Sequence, residues 1–62
     1  MKNITYLYNN LVEIVENVKK DVEKFDNGNK SAGTRVRKAM MDVKNAAQEI
    51  RETVSEIKNA EK

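Results

Sequence analysis

Basic side chains are concentrated in one short segment of this 62-residue sequence. Residues 30–44 contain five Lys or Arg residues and a single acid, Asp42, although the whole chain has a net charge of only +2. Because charge acts locally under physiological screening, the density within the segment is more informative than the total. This segment is the first candidate for binding a negatively charged group.

The same segment begins at a predicted helix N-terminus, where free backbone N–H groups and the helix dipole favour an anion. First turns usually carry Asp or Glu, but here Lys30 comes first, and an unliganded helix would find that charge unfavourable. Hydroxyl groups nearby can also donate hydrogen bonds to phosphate. We therefore predict a phosphate-binding site made of Lys30, Ser31, Thr34, Arg35, Arg37, Lys38 and Lys44.

Gly33 has two interpretations within this predicted helix start. Glycine inside a helix costs about 1 kcal/mol relative to alanine, so its presence needs a reason. A missing side chain would let a phosphate approach the backbone, or it would let another helix pack closely. The sequence does not decide between these two roles.

Basic and acidic residues also follow two seven-residue spacings in the second half of the chain. The basic positions are Lys30, Arg37, Lys44, Arg51 and Lys58, and the acidic positions are Asp42, Glu49 and Glu56. Such rows can match charges between neighbouring helices instead of binding a ligand. That alternative is stronger for Lys44 and the two later basic residues, which have acids close by, than for the residues from Lys30 to Lys38.

Catalysis and metal binding have little support in this composition. The sequence contains no His, Cys or Trp, and neither Ser31 nor Ser55 has a candidate base. Disulfides and the usual zinc ligands are therefore excluded. We expect no enzyme activity, no catalytic residues, no metal and no cofactor. No signal peptide or membrane-spanning run is apparent, so a soluble cytoplasmic protein is expected.

The elements that must position the basic segment are two amphipathic helices. Apolar residues recur at alternating spacings of four and three in both halves, which is a heptad pattern. In the first half they are Ile4, Tyr8, Leu11, Val15, Val18, Val22 and Phe25, with Leu7 and Ile14 on one flank. In the second half they are Val36, Met40, Val43, Ala47, Ile50, Val54 and Ile57, beside the small residues Ala32, Ala39, Ala46 and Ala60.

A turn at residues 27–29 separates these helices. Asn27-Gly28 is a strong helix-stop signal, and Asn29 suits the N-cap of a following helix. So short a connection makes the helices antiparallel. We predict an all-α fold, with one domain over residues 1–62, a first helix at about 3–26 and a second at about 30–60.

A single hairpin of this size has a marginal core and leaves part of each apolar stripe exposed. Two hairpins packed as a four-helix bundle would cover more of it. We therefore expect a homo-oligomer, with a dimer favoured over a higher oligomer, and a monomeric hairpin as the alternative.

The stretch GNKSAGTRVRK, from Gly28 to Lys38, resembles the signature of the bacterial histone-like proteins first described in chlamydiae and likened to linker histones. The shared pattern is Gly-Asn-Lys, small residues and then Arg-x-Arg before a helix, and the match runs from Asn27 to about Arg51. Those proteins continue into a Lys- and Ala-rich tail, whereas this sequence ends at Lys62. We expect a short, tail-less member whose helices serve mainly for assembly.

This resemblance implies a nucleoid-associated protein that binds double-stranded DNA with little sequence preference. Carried over by residue, it implicates Gly28, Asn29, Lys30, Arg35 and Arg37. The alternative is a helical protein–protein interaction module, an adaptor or oligomerisation unit, that binds no nucleic acid. A third possibility, an amphipathic helix on anionic membranes, is disfavoured by the hairpin turn and the many acids. Small-molecule substrates are not expected.

Overall fold

The computed structural model describes residues 4–60 and contains two helices. Helix α1 covers Ile4–Asp26 and helix α2 covers Lys30–Ala60, with a tight turn between them. The helices pack against each other in an antiparallel hairpin, and the molecule measures 52 × 15 × 14 Å. The predicted all-α hairpin is confirmed. Asn3, where the sequence analysis begins the first helix, lies outside the described residues.

A Schellman motif ends α1. The Asn29 N–H donates to the Lys24 carbonyl at 3.0 Å, and the Gly28 N–H donates to the Phe25 carbonyl at 3.0 Å. Gly28 has a φ of 102°, a left-handed conformation that glycine adopts without a Cβ penalty. The stop signal predicted at this glycine therefore works through backbone geometry alone.

Asn29 is also the N-cap of α2. Its Oδ1 accepts hydrogen bonds from the backbone N–H of Ala32 at 3.3 Å and from the Ser31 hydroxyl at 2.7 Å. Capping of this kind satisfies a backbone donor that the helix itself leaves free. One residue thus completes the end of α1 and the start of α2, which fixes the basic segment relative to α1.

The helices meet along one stripe on each. The apolar residues of these stripes are all buried or half-buried: Ile4, Leu7, Leu11, Ile14 and Val18 on α1, and Ala32, Val36, Ala39, Val43, Ala46 and Ile50 on α2. Thr53 continues the α2 stripe and is also buried. Both sets keep the alternating three- and four-residue spacing of a heptad core.

Each predicted stripe contains a covered row and an exposed row, as expected of a single hairpin that leaves part of each stripe exposed. Tyr8, Val15, Val22, Met40 and Val54 belong to those stripes but are exposed by 56, 45, 40, 44 and 38%. Alanines provide the physical reason. At the α2 contact positions they let the helices approach closely. Helix α2 therefore turns its alanine row toward α1 and its bulkier neighbouring row toward solvent.

The two edges of the hairpin differ in chemistry. One edge is a polar groove, where Asn10 and Asn17 of α1 face Asp42 and Glu49 of α2 across half-buried aliphatic residues. The other edge, which we call the apolar edge, consists of the exposed residues Tyr8, Val15, Val22 and Phe25 on α1 and Met40 and Val54 on α2, together with the half-buried Ala47.

Candidate nucleic-acid interface

The predicted site residues spread over the outward half of α2 instead of forming one compact pocket. At 100° per residue, Lys30, Arg37 and Lys44 lie on one line along the helix. Ser31 and Lys38 lie about 100° further round, with Thr34 between the two lines. All of these side chains are exposed. The first turns of α2 therefore present a convex basic surface, a shape that suits a phosphate backbone better than a small anion.

Lys30, Arg37, Lys38 and Lys44 have no ion pair or side-chain hydrogen bond within residues 4–60. The first turn of α2 also contains no acid. Positive charge at the positive end of the helix dipole is unfavourable until an anion is present.

Arg35 differs from the other cations. Its Nε donates to Asp21 Oδ1 on α1 at 2.9 Å, while half of the Arg35 side chain remains exposed. Arg35 has no neutralising acid among its close sequence neighbours, and its partner Asp21 is 14 positions away, so the pair could not be predicted from local charge. The carboxylate holds Arg35 toward α1 and offsets its charge, so Arg35 tethers the two helices.

Ser31 also has a partner inside the protein. Its hydroxyl proton is donated to Asn29 Oδ1, so the serine supports the N-cap. Binding phosphate through the same proton would require that hydrogen bond to break. Thr34 has no such bond within the described chain and is the better hydroxyl donor of the two.

Close packing explains Gly33. A Cβ added at this position would lie 2.8 Å from Cε1 and 2.9 Å from Cδ1 of the Phe25 ring. The ring therefore covers the backbone that the alternative interpretation reserved for phosphate. Sequence reasoning placed Phe25 in the apolar stripe without linking it to Gly33, and no spacing rule would have revealed that contact.

Phe25 also connects the turn with the basic surface. Its ring shares a shallow depression with Lys30, Gly33, Thr34 and Arg37. Phe25 is 52% exposed, and the Cδ1–Cε1 edge of its ring lies over Gly33. Aromatic carbon thus borders the cations at the end of the hairpin that holds the turn.

Other kinds of site find no support in the part of the chain that is described. No group of three or more Asp or Glu side chains within residues 4–60 is arranged to hold a metal ion. Neither described helix is sufficiently long and apolar to cross a bilayer.

Within residues 4–60 the chain is a small helical hairpin that carries a convex row of exposed cations on α2. The family model for histone H1-like protein Hc1 matches residues 5–60, nearly the whole sequence. The chain belongs to this family. Searches among curated proteins and solved structures gave no match.

Family membership identifies the chain in general terms as a histone-like DNA-binding protein of the nucleoid. It also agrees with the resemblance seen at Gly28 to Lys38. The family packages DNA and is not a family of enzymes.

Proposed function

We propose that this protein binds double-stranded DNA through the phosphates, with little sequence preference, and helps to organise the bacterial nucleoid. The observation that carries the proposal is the exposed row of unpaired cations at the acid-free start of α2. Family membership supports the same kind of partner. The exposed cations support the proposal that the DNA contact lies at the start of α2.

The individual side chains have unequal roles in the proposed contact. Lys30, Arg37 and Lys38 are the principal phosphate ligands, because they are exposed and no acid within residues 4–60 pairs with them. Lys44 extends the contact along the helix, and Thr34 adds a hydroxyl donor. Ser31 and Arg35 contribute less, since each already has a partner in the hairpin.

Sequence tolerance follows from the nature of these contacts. Phosphate oxygens are the same at every base pair, so contacts to them position a protein without reading sequence. Binding through several Lys and Arg side chains releases counterions. The logarithm of the affinity should therefore fall by about 0.9 per contact for each tenfold rise in salt.

We also infer that the protein acts as a homodimer in the nucleoid of the cytoplasm. Val18 and Ala32 are the only apolar side chains in residues 4–60 that are fully buried, which is a thin core for a stable domain. Two copies would bury more apolar surface and would double the number of phosphate contacts on one particle.

The test is fluorescence anisotropy with two unrelated DNA duplexes of equal length over a range of salt concentrations. We compare the wild type with Lys30→Gln/Arg37→Gln/Lys38→Gln. The matched control is Lys19→Gln/Lys20→Gln/Lys24→Gln, which removes three charges from exposed positions of α1. Circular dichroism checks that all three proteins remain helical.

The α2 variant should bind at least tenfold more weakly than wild type at low salt, with a salt slope smaller by about 2–3, while the control keeps most of its affinity. Equal losses in both variants would show that total charge, and not the α2 surface, determines binding. A wild type that binds neither duplex at low salt would overturn the proposed function.

A protein–protein interaction module that binds no DNA is the second candidate, because of the apolar edge along Tyr8, Val15, Val22 and Met40. It predicts a stable oligomer that neither heparin nor DNA retains at near-physiological salt. The same purified protein tests both candidates. Retention on heparin at near-physiological salt, with elution as the salt concentration is raised, supports DNA binding.

A further inference from the structure

We propose that a second copy of this chain covers the apolar edge, with the two-fold axis parallel to the helices, so that both turns lie at the same end of the dimer. This arrangement deepens the proposed function, because it joins the two basic surfaces. It also goes beyond a statement of oligomeric state, since it specifies both the edge and the orientation.

The choice of edge rests on its chemistry. Tyr8, Val15 and Val22 recur every seven residues on α1, and Met40 and Val54 are 14 residues apart on α2, with Ala47 midway between them. All five large residues are more than a third exposed. The opposite edge is lined by Asn and acidic side chains, so only one edge of the hairpin would gain from losing water.

The amount of exposed surface agrees with a missing partner. The chain has an accessible surface of 5303 Å², and its mass is 7.1 kDa. A compact monomer of that mass would expose about 4,100 Å². The excess of roughly 1,200 Å² exceeds the ~800 Å² that each partner typically buries in a specific dimer.

Charge decides between the two possible two-fold arrangements. Beside the apolar edge, α2 carries Lys30, Arg37, Lys44, Arg51 and Lys58, while the corresponding flank of α1 carries Glu16, Glu23, Asp26 and Lys19. An axis perpendicular to the helices would set α2 against its own copy, which brings two rows of five cations together. An axis parallel to the helices sets each α2 against the partner's α1, which brings cations beside a net negative flank.

The favoured arrangement affects the DNA contact directly. Both turns, and with them Lys30 and Arg37 of each copy, come to one end of the bundle. The α1 flank has three acids and one Lys against five cations on α2, so an excess of positive charge remains. Two phosphate-binding surfaces at one end favour binding of a single duplex at neighbouring positions, and not the bridging of two duplexes from opposite ends.

The first part of the test measures mass by light scattering in the absence of DNA. Wild type and Asn17→Glu, which adds a charge to the polar edge, should both be dimeric. Val15→Glu, which adds the same charge to the apolar edge, should reduce the dimer fraction at least tenfold. A monomeric wild type, or equal effects of the two variants, would overturn the proposal.

The second part measures orientation and does not depend on the folding of Val15→Glu. The sequence has no Cys, so Asn27→Cys allows a single spin label at the turn of each copy. Pulsed electron spin resonance should give a label-to-label distance below roughly 30 Å, because neighbouring helix axes lie about 10 Å apart. A distance near the 52 Å length of the molecule would reject the parallel axis. Because neither part uses DNA, failure here is separable from failure of the proposed function.

Discussion

The ring of Phe25 lies where a side chain at Gly33 would have to begin. A Cβ there would lie 2.8 Å from the ring, well inside van der Waals contact. The contact joins the last turn of α1 to the first turn of α2. It therefore helps to fix the orientation of the first turn of α2, which carries the basic surface, relative to α1.

This relationship predicts that the effect of Gly33→Ala depends on Phe25. Alanine is favoured over glycine in a helix by about 1 kcal/mol. In the Phe25→Ala background that gain should appear in the free energy of unfolding. With the ring present, the substitution should be neutral or destabilising, because the half-exposed ring has to move away. A double-mutant cycle by urea unfolding measures the difference, and additive effects would contradict the contact.

Thr53→Val should stabilise the hairpin. Thr53 is 1% exposed, and its hydroxyl has no hydrogen-bond partner among residues 4–60. Valine has nearly the same shape, so the change removes the desolvation penalty of about 1–3 kcal/mol without opening a cavity. Thermal unfolding should show a higher midpoint. Thr5→Val, at an exposed position of α1, is the control and should change stability by less than about 0.5 kcal/mol.

Asn29→Ala should destabilise the protein through the N-cap. The substitution removes the side-chain oxygen that accepts from the Ala32 N–H and the Ser31 hydroxyl, and losing such a cap typically costs about 1 kcal/mol. The Ala32 N–H keeps its 3.2 Å hydrogen bond to the backbone carbonyl of residue 29. Asn45→Ala, at an exposed position in the middle of α2, should be neutral or slightly stabilising because alanine is the better helix former. Similar losses from both variants, measured by chemical denaturation, would rule out a specific capping role.

Substitution of the two arginines of the Arg-x-Arg motif should have different effects on DNA binding and on stability. Arg37→Gln should reduce the salt slope of DNA binding by about 0.9 and leave stability nearly unchanged. Arg35→Gln should change that slope less and should lower the free energy of unfolding by about 0.2–1 kcal/mol, through loss of the half-exposed Asp21 ion pair. Anisotropy titrations and denaturation curves on both variants measure these quantities. A larger loss of DNA affinity at Arg35 would reverse their assigned roles.

Local sequence signals were sufficient to predict the two helices and the turn between them. Gly28 and Asn29 end one helix and start the next through hydrogen bonds within a few residues, so the sequence contains nearly all of that information. The heptad spacing similarly predicted two helices. The family resemblance at Gly28 to Lys38 agrees with the family model over residues 5–60.

The relationships between the helices were not accessible in the same way. A core row at one heptad position gives alternating spacings of three and four with the row on either side of it. Spacing therefore cannot show which of the two neighbouring rows is covered and which is exposed. Spacing alone could not show that Tyr8 and Val15 lie in the exposed row. Asp21–Arg35 and Phe25–Gly33 depend on the rotation of one helix against the other, which only the three-dimensional packing determines.

The turn closed by Gly28 and Asn29 has a consequence for how the chain folds. Its hydrogen bonds connect residues within 23–32, so the entropy lost on closing the loop is small. Packing of α1 against α2 can then propagate outward from the Phe25–Gly33 contact. The end of the hairpin that contains Ile4 and Thr53 packs last. Such zipping is unimolecular and fast, whereas pairing of two hairpins is a bimolecular step. Refolding kinetics should therefore separate into a phase independent of protein concentration and a slower phase whose rate rises with concentration.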